Sequence, residues 1–93
     1  MNEKKLIEIL LDESASVSER DDAAMDLSAF DSNEVLETLL KVGTDESVDD
    51  VILSSVGESL AEIWLRNNNF NFDSYNALWA TTKVAIKENM DVT

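Results

Sequence analysis

Across 93 residues there is no proline, and there are only two glycines, Gly43 and Gly57. A strand-rich chain of this length needs frequent tight turns, and those turns draw on Gly, Pro or Asn-Gly to reach their backbone angles. That punctuation is nearly absent here. Apolar residues instead recur at three- and four-residue spacing along the chain, which lines them up on one side of successive helices. The expected class is all-α. With 44% hydrophobic residues, the chain has enough apolar surface for one modest core, hence a single domain over 1–93.

The spacing predicts a first helix over 3–11, with Leu6, Ile7, Leu10 and Leu11 inward. A loop at Asp12-Glu13-Ser14-Ala15-Ser16 leads to a second helix over 17–29, capped by Ser16 or Ser18, with Val17, Ala23, Ala24, Leu27 and Phe30 on its apolar side. A third helix opens at Asp31 or Ser32, where a short side chain can accept from the free first-turn amides. It buries Val35, Leu36, Leu39, Leu40 and Val42 and stops at Gly43, a natural C-terminal cap. The fourth and longest, about 47–66, turns Val51, Ile52, Val56, Leu60, Ile63 and Trp64 inward. Gly57 in its middle costs up to about 1 kcal/mol relative to Ala, and so marks close approach to a neighbour. After the loop from Asn67 to Phe72, a fifth helix over 74–89 turns Leu78, Trp79, Thr82, Ala85 and Ile86 inward, and the tail is expected to fray after Met90. Trp64 and Trp79 read as packing residues. Phe70 and Phe72 are either loop anchors or a protruding aromatic contact.

The residue types of common catalytic sites are missing. Without Cys or His there is no thiolate nucleophile, no disulfide and no imidazole for proton transfer or metal ligation. The acidic pairs Asp21-Asp22 and Asp49-Asp50 diverge by about 100° on a helix and do not converge on a substrate. Asp12, Ser14, Ser16 and Ser18 have the alternation of a calcium loop, but Val17 stands where the loop needs Gly and Ala23 where it needs a bidentate Glu. The Asp45 turn has Asp50 at its glycine position and fails in the same way. The expectation is no enzyme, no metal, no cofactor and no small-molecule substrate. Glu8 interrupts the short apolar run after Lys4 and Lys5, no stretch approaches the roughly 20 apolar residues of a membrane span, and the protein is expected to be cytoplasmic.

Net charge is −13, and it is unevenly spread. Residues 12–62 hold fifteen acids against only Arg20 and Lys41, while the two ends are neutral. Such a field disfavours nucleic acid and anionic membranes and favours a basic protein. On the second helix Glu19, Asp22 and Asp26 share one stripe; on the fourth, Asp50, Ser54, Glu58 and Glu62 form another. With Asp49, these acids are the candidate partner-binding residues.

At an offset of 33, Leu6-Ile7 corresponds to Leu39-Leu40, Asp12-Glu13-Ser14 to Asp45-Glu46-Ser47, and Ala24, Leu27, Ser28 and Phe30 to Gly57, Leu60, Ala61 and Ile63. Phe30-Asp31-Ser32 also recurs as Phe72-Asp73-Ser74, each expected to open a helix. A period in the thirties indicates stacked helical hairpins. Over residues 6–64 the pattern resembles the HEAT-like repeat, without the kinking Pro of its first helix and with Asp49 and Asp50 where a basic residue is usual. The resemblance implies a compact stack of about five helices in antiparallel hairpins, with the second and fourth helices lining the concave face. A small, very acidic helical protein of this kind also resembles the immunity proteins of bacterial toxin systems, including contact-dependent inhibition, which implies a basic, nuclease-like toxin domain as partner. The other readings are a helical-repeat adaptor or regulatory subunit joining host proteins, or a nucleic-acid mimic.

So concentrated a charge repels itself in the folded state, and salt screens it over a Debye length of about 10 Å at 0.1 M. The melting temperature is expected to rise from low to physiological sodium chloride, measured by circular dichroism. A flat or falling trend would show that the acids are individually neutralised.

Overall fold

The computed structural model describes residues 2–90, which form six α-helices: α1 Glu3–Leu11, α2 Val17–Asp26, α3 Asn33–Gly43, α4 Asp50–Asn67, α5 Phe72–Ala77 and α6 Ala80–Met90. A 3₁₀ turn, Leu27–Ala29, continues α2, and no strand occurs among the described residues. Five helices begin on a side-chain cap. Asn2, Ser16, Ser32, Asp49 and Asn71 each accept a backbone N–H from the first turn of α1 to α5. Ser16 and Glu19 complete a reciprocal capping box, satisfying two amides that a helix start otherwise leaves free. At its other end α4 stops on Asn68, in the left-handed region at φ 53°, a conformation Asn tolerates better than most residues.

Side-chain hydrogen bonds fix how the helices lie. Arg20, in the first turn of α2, donates Nε–H to the Leu10 carbonyl at the end of α1, 3.0 Å away, and so ties the start of α2 to the end of α1. From α4, Ser55 donates to Asp21, Ser59 to the Ala24 carbonyl at 2.5 Å, and Arg66 to the Ser28 carbonyl at 2.9 Å. Both residue numbers rise together, so α2 and α4 run parallel. On the far side Thr81 donates to Asp50 at 3.1 Å and Ala85 lies against Gly57, so α6 is parallel as well. The result is a row, α2–α4–α6, with α1 packed on α2 and α3 on α4. Leu10, Leu27, Leu39, Ile52, Leu53, Leu60, Ile63 and Ile86 are fully buried at its centre.

Several expectations need correction. The helix expected over 74–89 is broken at Leu78-Trp79, because the Trp79 N–H and the Thr82 hydroxyl both donate to the Gly43 carbonyl, each at 2.9 Å. That bond draws the chain out of helical register and leaves Trp79 41% exposed rather than packed. Phe72-Asp73-Ser74 does not repeat the capping role of Phe30-Asp31-Ser32: Ser32 caps α3, but Asn71 caps α5 and Phe72 is its first residue. The second helix stops at Asp26 and tightens to 3₁₀ over the last three expected residues. Leu11, Val17 and Val51 are exposed, and Leu53 is buried instead of Val51. Val51 falls on the solvent line of α4, with Ser54, Glu58, Glu62 and Leu65, whereas Leu53 turns towards a neighbouring helix. Gly43 has no positive φ; its missing side chain instead leaves room for Leu78, whose Cδ2 would stand 2.9 Å from a Cβ there. The expected fraying after Met90 concerns 91–93, outside the described residues.

Gly57 meets its expectation of close approach. A Cβ at this position would stand 2.6 Å from Ala85 Cβ and 2.7 Å from the Thr82 carbonyl oxygen. Backbone cannot swing aside as a side chain can. Gly57→Ala is therefore expected to destabilise by about 1–3 kcal/mol through overpacking, against the roughly 1 kcal/mol gain of the same change in an exposed helix. Urea unfolding at equilibrium measures the sign; a more stable variant would mean that α6 does not press on α4.

Candidate functional site

The Asp-x-Ser turns that link α1 to α2 and α3 to α4 are copies of each other. In the first, Ser14 donates its N–H (2.9 Å) and hydroxyl (2.6 Å) to Asp12 Oδ1. In the second, Ser47 donates the same pair to Asp45 Oδ1 at the same distances. Both carboxyls are held below the ordinary aspartate value, first by the Ser hydroxyl and then by its N–H, with Arg20 adding a smaller attraction to each. Hydrogen bonds to the charged form favour ionisation.

Three of the seven expected partner-binding acids are engaged in the same manner. Glu19 accepts from the Ser16 N–H and hydroxyl, Asp49 caps α4 through the Val51 N–H, and Asp50 accepts from Thr81. The other four, Asp22, Asp26, Glu58 and Glu62, are exposed. None of these four has a hydrogen bond or ion pair among the described residues, where Lys5–Glu8 at 3.8 Å is the one ion pair.

The two acidic stripes do not merge. Glu19, Asp22 and Asp26 line a groove of about 290 Å³ beside Leu6 and Ile9 of α1. Glu58 and Glu62 line another, of about 280 Å³, with Leu65 and Asn89. Since α2 meets α4 through Asp21, Ala24 and Ser28, helical periodicity turns Glu19 and Asp26 away from α4. Asp49 and Asp50 lie at the start of α4, and Asp49 borders a third, polar cavity of about 490 Å³ between the two turns. There Arg20 and Lys41, the two cations of the acidic segment, face Glu13, Asp45 and Asp49. No cluster of three or more potential metal-ligating side chains occurs among the described residues, and no helix there is long and apolar enough to cross a membrane.

Comparisons with protein-family models, with curated proteins and with solved structures return no match for this chain. Function must be read from the surface itself.

One feature of that surface escapes periodicity. Phe70, Phe72 and Tyr75 join Ile86, Lys87 and Met90 around an apolar cup of about 380 Å³. Phe70 stacks edge-on against buried Trp64, with centroids 5.1 Å apart, which makes it an anchor, while Phe72 is 64% exposed. The i, i+3 spacing of Phe72 and Tyr75 was a usable signal for one wall. The other wall comes from α6, which only the fold brings there.

The depressed Asp12 and Asp45 values have a sign for pH. A carboxyl with a lowered folded value stabilises above its unfolded value, and that contribution is lost as pH falls through the folded value. Ser14→Ala and Ser47→Ala are each expected to move the adjacent aspartate back towards its ordinary value near 3.8. Carbon-detected NMR titration of the carboxyl reads this directly; an unmoved Asp45 in Ser47→Ala would show that the hydroxyl does not hold it.

Proposed function

We propose that this chain is a binding protein of the immunity type, built as a short stack of HEAT-like hairpins, which neutralises a basic, nuclease-like toxin domain through carboxylates on α2 and α4. The observation that carries the reading is the free state of Asp22, Asp26, Glu58 and Glu62. These four are exposed, have no hydrogen bond or ion pair among the described residues, and line grooves on α2 and α4. Matching turns at an offset of 33 and a parallel row of second helices support the hairpin architecture. The protein itself performs no reaction and carries no cofactor; it acts in the cytoplasm by occupying the toxin's cationic surface. Opposite potentials raise association rates towards about 10⁸–10⁹ M⁻¹s⁻¹ at low salt, which suits an inhibitor that must act before its target does.

Two acidic grooves on different faces also fit an adaptor that joins two proteins. Charge reversal separates the readings. Partners are first recovered by pull-down from the native host, and binding is then measured by calorimetry at two salt concentrations. Asp22→Lys with Asp26→Lys, and Glu58→Lys with Glu62→Lys, are each expected to weaken binding of one basic toxin domain by at least about 100-fold, since like charges across an interface cost several kcal/mol. Glu34→Lys with Glu37→Lys, on α3, makes the same charge change with little effect. If each pair of reversals loses a different partner, the adaptor reading holds. Binding that ignores both pairs removes the acidic surface from the mechanism.

A further inference from the structure

The apolar cup lies where the charge does not. Of residues 63–90, Asp73 and Glu88 stand against Arg66, Lys83 and Lys87, whereas the whole net charge sits in 12–62. Phe72 at 64% and Phe70 at 41% exposure form its rim, and Lys83 Nζ lies 5.8 Å from the centre of the Tyr75 ring. The Tyr75 hydroxyl is buried from solvent and has no hydrogen-bond partner. A buried donor left unpaired is costly.

We propose that this α5–α6 end is the contact surface between two copies of the chain, packed about a two-fold axis. A second copy fits the charge. Copies that met through the α2 or α4 grooves would press carboxylates on carboxylates, while the α5–α6 end offers both signs, so the lysines of one copy can face Asp73 and Glu88 of the other. A two-fold contact uses the same patch twice: Phe72 of each copy enters the cup of the other. The α1–α2 groove sits at the opposite end of the helix row and stays open in the pair. The anchors are few against the roughly 800 Å² per partner of a standard interface, so the dimer is weak and strengthens as salt screens the acidic segments.

Sedimentation equilibrium on the full chain, from about 10 µM to 1 mM in 0.15 M sodium chloride, tests this. The expected mass rises with concentration from the 10.4 kDa of one copy towards twice that value, and more readily in higher salt. Phe72→Asp is expected to stay a single copy with an unchanged helical spectrum, and Lys87→Glu to weaken the pair several-fold. Glu58→Lys is expected to leave the pair intact. In a Trp79→Phe background the emission of Trp64, behind Phe70, should shift on dilution of the otherwise native protein. A single copy throughout the range, or a dimer that survives both Phe72→Asp and Lys87→Glu, overturns the proposal. So does pairing that appears only when the chain is shortened to end at Met90, which would assign the cup to residues 91–93.

Discussion

The close contact of α4 with α6 at Gly57 sets the spacing from which the rest of the fold is built. Neighbouring helices normally pack with axes about 8–10 Å apart, depending on the side chains between them. Here Gly57 and Ala85 put almost nothing between the two backbones. On the other flank, Ser55 and Ser59 hold α2 through hydrogen bonds to Asp21 and the Ala24 carbonyl. A central helix pressed from both sides has ten of its eighteen residues buried, which is why only one narrow line of it reaches solvent. That line carries Glu58 and Glu62.

Acidity has two separate uses in this chain. Asp12, Asp45, Asp49 and Glu19 satisfy backbone amides at turns and helix starts, where a negative group also meets the positive end of the helix. Arg20 serves both turns at once, bonded to the Leu10 carbonyl and lowering Asp12 and Asp45 together. The cavity it shares with Lys41 therefore belongs to the scaffold more than to a ligand. Among the unpaired acids, Asp22 and Asp26 line one groove and Glu58 and Glu62 another, and these are the four proposed to meet a basic partner.

Apolar contact and charge are also divided between regions. The acidic grooves have small apolar floors, and the aromatic cup has Lys83 and Lys87 beside it. The proposed binding through the first would be governed by salt and charge reversal, and the proposed self-association through the second by Phe72. The two activities proposed here can thus be removed one at a time by substitution.

Much of this was legible in sequence. The lack of proline and glycine together with three- and four-residue spacing specified helices, because each is a property of a single segment and its periodicity. Ser16 and Ser32 mark helix starts by the same local logic, whereas the fourth helix, expected from about 47, opens at Asp50 behind the Asp49 cap; Gly57 announced a close neighbour because a mid-helix glycine is costly without one. The break at Leu78-Trp79 was not legible, since no residue there opposes a helix; the Gly43 carbonyl, 36 residues earlier, interrupts it by recruiting Trp79 and Thr82. For the same reason Val51 and Leu53 exchanged places: a one-sided stripe describes a helix with one buried face, and α4 has three. Sequence determined which residues are acidic and which helices carry them. Whether Glu19 and Glu62 share a face depends on how α2 turns against α4, and that was decided by the hydrogen bonds of Ser55, Ser59 and Arg66 across the interface.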